Sequence, residues 1–228
     1  MKKKIIILGV LLIIAGIYFG LSVPISDISP DLKEPAVSSR YEEMKELNSD
    51  YLGWIEFESG LISQPVVQTT DNQYYLTHDM NQNEFSQGTV FADKICKLDD
   101  QNITIYGHYV YKDENAMFSP LTILKEEKNY PENHILTLEL QDEIRNYEIA
   151  MVYIFDMTVD TEYPYMTPDF DTPEDFKNFI AYADRKKFYD TGIEIEENDK
   201  ILTLQTCVRN EDYQRLIVVA KEISRDNF

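Results

Sequence analysis

The chain opens with an almost unbroken apolar run, Ile5 to Val23, set behind Lys2, Lys3 and Lys4. As helix, nineteen residues reach ~28 Å, close to the ~30 Å hydrocarbon core of a bilayer. The pattern predicts a transmembrane anchor over residues 5–23, capped by a cytoplasmic lysine segment over 1–4, with everything after Val23 outside the cell. A cleaved signal peptide is the competing reading. Against it, the run exceeds the apolar core of about 7–15 residues that such peptides carry, and Ser22-Val23-Pro24 is a poor cleavage site. Pro24, Pro30 and Pro35 then mark an extended stalk over residues 24–37.

Beyond the stalk the rhythm changes. Residues 38–47 show helical spacing, with Ser38 or Ser39 as the cap. From there period-two alternation dominates, as in Leu52-Gly53-Trp54-Ile55-Glu56-Phe57. Further strands are predicted at 62–67, 88–92, 102–106, 135–140, 147–155, 200–207 and 215–220. Asp71 caps a helical turn over 71–78, and 117–124 reads as a short helix. Residues 161–187 form an insertion. In it Thr172 caps a helix that starts at Pro173 and turns Phe176, Phe179, Ile180 and Ala183 to one side. About eight short strands, mostly joined as hairpins, predict a mainly β fold: one closed β-barrel with helical decorations.

Composition narrows the function classes. The formal net charge is −20, so the surface repels a phosphate backbone and no nucleic-acid partner is expected. Two cysteines are too few for a disulfide-stapled module. Cys96 sits in the polar loop 93–100 and reads as incidental, whereas Cys207 ends a strand and reads as a free thiol. With no C-x-x-C, no H-E-x-x-H and no Gly-rich phosphate loop, no metal or other cofactor is expected.

A free thiol becomes a nucleophile when a partner manages its proton. Of the three histidines, His134 follows the turn Pro131-Glu132-Asn133 and reads as solvated. His78 closes a Tyr-rich turn, where it is structural or lines a groove. His108 stands where a loop leaves a strand, directly after Tyr106-Gly107, and is the candidate general acid and base. Attack on an acyl group develops an oxyanion that needs fixed donors. Arg215, at the start of the last strand, offers a permanent fork of them, with Arg209 in the hairpin loop as its rival.

These residues together resemble the sortases, the membrane-anchored transpeptidases of Gram-positive bacteria. Their signature T-L-x-T-C followed by Arg on the next strand reads here Thr203-Leu204-Gln205-Thr206-Cys207, then Arg215. The family's His after a strand and a Gly matches His108. Leu52-Gly53-Trp54-Ile55, Pro65-Val66-Val67-Gln68, Asp71 to Leu76, Tyr189-Asp190-Thr191-Gly192 and the helix-bearing insertion before the Cys strand resemble class B in particular. Class A members use a shorter connection at that point. The resemblance covers roughly residues 40–223 and implies a sortase-type barrel over residues 38–228.

It further implies that Cys207 attacks the Thr carbonyl of a C-terminal sorting signal on a secreted protein. His108 protonates the leaving group, and Arg215 stabilises the oxyanion or the substrate backbone. An amine of a peptidoglycan precursor, or a pilin Lys in a pilus polymerase, then resolves the thioester. Asn72, Leu76, Tyr106, Gln205 and Thr206 are implied to line the peptide site. Many class B members carry Ser where Gln205 stands, and the Cys-to-Arg loop is short for some members. Both differences touch the groove wall and bear on substrate preference. A catalytically silent, membrane-tethered binding module would lack Cys, His or Arg, and a papain-like protease would carry its Cys on a helix near the mature N-terminus.

Overall fold

The computed structural model describes residues 39–228. The lysine cap, the apolar run, the stalk and Ser38 lie outside the described residues. Among the described residues no helix is long and apolar enough to cross a membrane.

Eight strands close a barrel in the order β1-β2-β3-β4-β7-β8-β6-β5. They are β1 Tyr51–Phe57, β2 Ser63–Val67, β3 Val90–Ala92, β4 Asn102–Tyr106, β5 Ile135–Glu139, β6 Glu143–Asp156, β7 Ile201–Val208 and β8 Glu211–Asn227. Helix α1, Ser39–Leu47, precedes them, and α2, Pro173–Lys186, lies between β6 and β7. Thr172 caps α2 as expected: its Oγ1 accepts from Asp175 N, and Pro173 follows it.

Three expectations need correction. The strands are not simply a chain of hairpins, because β2 pairs with β3 and β4 with β7 in parallel. A parallel pair needs a long crossover, and the β4–β7 crossover contains β5, β6 and the whole insertion. The last strand is also longer than its apolar run. It begins at Glu211, because the ladder to β7 continues past the hydrophobic stretch, through Cys207 opposite Arg215 to Val208 opposite Glu211. The short helix expected at 117–124 is a tight helical turn over Ser119–Lys125.

Alternation assigns the side chains to layers. Ile55, Phe57, Ile105, Leu136, Leu138, Leu202, Leu204, Leu216 and Val218 fill the barrel. The outer face of β6, β7 and β8 is also apolar. Met151, Tyr153, Phe155, Ile201, Ile217 and Val219 pack there against Tyr165, Phe176, Phe179 and Ala183 of the insertion. Burial on both faces explains the near-continuous apolar runs of these strands. A bulge between Ile149 and Met151 lets β6 serve both layers, with Ile149 and Val152 inside and Met151 and Tyr153 outside. A third cluster seats Tyr41 of α1 on Tyr51, Val67, Tyr75, Met80 and Phe91.

Candidate functional site

The insertion does not cover the outer face completely. Where it stops, a cleft of about 420 Å³ opens, lined by Asn72, Leu76, Phe91, Tyr106, Gly107, His108, Met157, Tyr165, Gln205, Cys207 and Arg215. Strand register brings its chemistry together. Cys207 stands directly opposite Arg215 on β7 and β8. On the other side of β7, Tyr106 lies level with Gln205 in parallel register, and Gly107 N extends the ladder to Gln205 O at 3.0 Å. His108, two residues past Tyr106, therefore falls level with Cys207, two past Gln205. Three neighbouring strands, each ~4.8 Å apart, present His108, Cys207 and Arg215 in one row on one face.

The signature run reads clearly in this light. Thr203 faces outward, and its Oγ1 donates to Asn102 Oδ1 at 2.7 Å. The Asn102 amide in turn donates to the carbonyls of Tyr165 and Thr167. This buried network pins the insertion loop over the cleft. Leu204 fills the barrel. Gln205 faces the cleft, where Tyr165 Oη donates to its Oε1 at 3.5 Å. Thr206 is fully buried, and its Oγ1 has no partner among the described residues. The structure does not bring Thr206 to the cleft wall, because alternation turns it to the face opposite Cys207.

His108 is held by the loop between β2 and β3. Its Nε2 lies 2.9 Å from Leu76 O. A carbonyl only accepts, so Nε2 carries a hydrogen in this arrangement, and Nδ1 is the ring nitrogen left to take up and return a proton. The Leu76 loop is shaped by its own contacts. The helical turn expected over 71–78 is a shorter one over Tyr74–Leu76 with Gln73 in the cap position; Asp71 Oδ1 instead accepts from Gln73 N and Tyr74 N ahead of it, and these bonds hold its carboxyl below the usual range. Gly88, with φ of +64°, backs onto the Tyr75 and Leu76 carbonyls, where a Cβ would come within 2.3 Å of Tyr75 O. Gly107 is equally constrained: a Cβ there would meet Phe118 Cγ at 2.4 Å.

Arg215 Nη1 donates to the carbonyls of Asp212 and Gln214, both at 2.8 Å. That ties one edge of the guanidinium and leaves donors over for a ligand. Among the described residues no carboxylate pairs with Arg215, and none lines the cleft. Tyr106 Oη donates to buried Asp93, and burial followed by that carboxylate pushes the phenol pKa up. Burial likewise raises Tyr165 to about 12, with Arg215 opposing it. Both phenols stay neutral donors near neutral pH.

The other candidates lie elsewhere. His78 stacks on Tyr74 with ring centroids 4.0 Å apart. His134 Nδ1 bonds Pro131 O at the start of β5. Arg209 lies over the Tyr111 ring at 4.6 Å. Cys96 and Cys207 are both free thiols. Cys96 is not the incidental loop residue expected but is buried, with its Sγ between Asn102 O and Thr104 N. Asn72 Oδ1 accepts from Lys94 N. Sequence reasoning missed Phe91, Met157 and Tyr165. The one available cue was the aromatic pair flanking Pro164 in the insertion.

Residues 58–223 match the Sortase domain family. This chain belongs to the sortase family. Sortase B of Staphylococcus aureus is 26% identical over 98% of both chains. Among solved structures, Clostridium perfringens sortase B is 33% identical, with a TM-score of 0.74 over 80% of this chain and 99% of that one. A Staphylococcus aureus sortase B–substrate complex is 26% identical, also with a TM-score of 0.74, over 82% of this chain and 86% of that one. The eight-stranded closed barrel with its helix-bearing insertion is the class B sortase fold, and this sortase is a cysteine transpeptidase.

Proposed function

We propose that Cys207 is the nucleophile, His108 the general acid and base, and Arg215 the oxyanion or substrate donor of a transpeptidase that sorts secreted proteins. The observation that carries this reading is the row itself, with Cys207 opposite Arg215 and level with His108 in one cleft. The substrate class is a C-terminal sorting signal cleaved at a Thr carbonyl, as the family resemblance implies.

The chemistry balances in two halves. The Cys207 thiolate attacks the Thr carbonyl carbon, and the carbonyl oxygen takes the negative charge in reach of the Arg215 donors. The tetrahedral adduct collapses, the C–N bond breaks, and the departing amine takes a proton from His108. The thioacyl enzyme then meets an incoming amine, which yields its proton to His108 as a new C–N bond forms and the C–S bond breaks. For the acceptor we propose an amine of the cell-wall precursor. Asn72, Leu76, Tyr106 and Gln205 line the groove that seats the peptide. The apolar run 5–23 behind its lysines supports a single-pass anchor with the catalytic domain outside the cell.

The test is direct. The full-length chain in detergent is incubated with sorting-type pentapeptides and the reaction is read by intact-protein mass spectrometry. A covalent adduct on the Cys207 peptide, discharged by added triglycine to an amide product, is the expected result. Turnover with no adduct on Cys207 sinks the assignment.

A further inference from the structure

We propose that Met157, Val159 and Tyr213 form an apolar ledge that takes an apolar side chain of the substrate polypeptide lying outside the segment seated in the cleft. This rests on the peptide-substrate reading above and extends it to a longer stretch of chain.

The ledge continues the geometry of the site. Phe155 stands opposite Arg215 and Asp156 opposite Gln214, and Met157 N then donates to Tyr213 O at 2.9 Å. Met157 and Tyr213 therefore lie one two-residue step, ~7 Å along the ladder, past Arg215. Alternation puts Tyr213 on the same face as Arg215, and Met157 itself lines the cleft. A peptide leaving the cleft on the Arg215 side runs directly onto these residues.

All three are left open. Met157 is 40% exposed, Tyr213 63% and Val159 72%. A lone exposed apolar residue needs no explanation, but Met157 and Tyr213, bonded backbone to backbone beside the cleft, with Val159 in the same turn as Met157, mark a binding surface. The turn that carries two of them is also held rigidly. Asp156 Oδ1 accepts from Thr158 N and Oγ1, Asp160 N donates to Asp156 O, and Asp160 Oδ2 accepts from Asp156 N. Lys186 of α2 pairs with that same Asp160 carboxylate. Fixing exposed apolar groups in place lowers the ordering cost of binding and so favours a specific ligand.

The flanks choose the occupant. Glu162, Glu211 and Asp212 are exposed beside the ledge and outnumber the exposed Arg209 of the same hairpin loop, and a border that is acidic on balance disfavours the anionic surface of a bacterial bilayer. A peptide side chain continuous with the cleft meets no such barrier.

Five peptides separate the possibilities: a minimal sorting pentapeptide, the same peptide extended by apolar residues at one end or at the other, and the two matching serine extensions. The full-length chain is compared with its Val159→Ser/Tyr213→Ser variant, which leaves the cleft lining untouched. Wild type should process one apolar extension at least tenfold better in kcat/KM than the matching serine extension. The double variant should lose that preference and keep its rate on the pentapeptide. Equal preference in both proteins, or no preference in wild type, overturns the ledge. No turnover of the pentapeptide by wild type instead removes the peptide-substrate reading beneath it. A variant defect that appears only after reconstitution into phosphatidylglycerol vesicles, equally for all peptides, assigns the surface to lipid and overturns the proposal. So does a variant that turns a dimer into a monomer on sedimentation with peptide preference unchanged.

Discussion

The two thiols of this sortase occupy opposite environments. Cys96 is buried in a loop that Gln68 closes by donating to the carbonyls of Asp93 and Cys96. Burial pushes its pKa up to about 11, and Asp93 and Asp100 add to the rise. Cys207 is half-buried at a cleft that also presents His108 and Arg215. Cys96 is therefore stored as a neutral thiol, while any charge on Cys207 lies beside the permanent Arg215 cation. The same functional group is a packing element in one region and the candidate nucleophile in the other, and the difference lies in which strands bring which neighbours.

The comparison breaks most sharply at Cys207→Ala. We expect acyl-enzyme and peptide turnover to vanish, with unfolding free energy changed by less than about 1 kcal/mol, because the site is partly exposed and no core is opened. Residual cleavage at a wild-type rate would make Cys207 a bystander. Next comes His108→Ala, for which general acid–base help of roughly 10²–10⁴-fold should be lost in kcat. His134→Ala is its control. Half-exposed and bonded to the Pro131 carbonyl at the start of β5, His134 should leave kcat unchanged, and a loss there would reverse the choice of histidine.

The row of candidate site residues was more legible than the barrel that builds it. Each of the three follows from a local cue: a thiol near the end of a strand, a histidine after a strand and a glycine, an arginine on the next strand. What local patterns did not reveal is the parallel pairing of β4 with β7, because partner strands separated by a long crossover leave no mark on either segment. Without that pairing the sequence places His108 and Cys207 at strand ends but not beside one another. Thr206 failed for a different reason: a signature motif names five residues in a row, while a strand shows alternate ones to each side. Cys96 failed because loop residues read as polar by their neighbours, although Gln68 and the adjoining strand close over this one. Tyr165 came from the insertion, where Asn102 on β4 captures its carbonyl, a tertiary contact that has no sequence period.

A smaller effect tests how firmly the cleft side is held. Gly107→Ala places a Cβ 2.4 Å from Phe118 Cγ, and Phe118 is fully buried. The ring has nowhere to retreat, so the backbone carrying His108 must move. Overpacking of this kind costs about 1–3 kcal/mol, and a displacement near 1 Å at a catalytic group can remove ~10²-fold in rate. Thermal unfolding and kcat measured on the same variant should fall together. A variant with lowered stability and an unchanged kcat would show that His108 is positioned by Leu76 alone.

The smallest effect, and the most discriminating, belongs to Cys96. Replacing it by Ser keeps a donor and an acceptor between Asn102 O and Thr104 N but shortens the reach. We expect a loss of about 1 kcal/mol near pH 8 with kcat unchanged. The pH dependence then separates a stored thiol from a reactive one. The folded state keeps Cys96 neutral up to about 11, whereas an unhindered thiol ionises near 9.0. Because the folded pKa is the higher one, the stability that the neutral thiol contributes is complete below pH 9 and is lost as pH rises from 9 to 11, by an amount on the order of 3 kcal/mol. Serine has no such titration. The buried tyrosines titrate in the same way in both proteins and cancel in the difference. Urea unfolding at pH 8 and pH 10.5 should therefore show wild type losing its advantage over Cys96→Ser at the higher pH. A constant gap would mean that Cys96 ionises equally in the folded and unfolded chain, and the contrast between the two thiols would then reduce to their neighbours in the cleft.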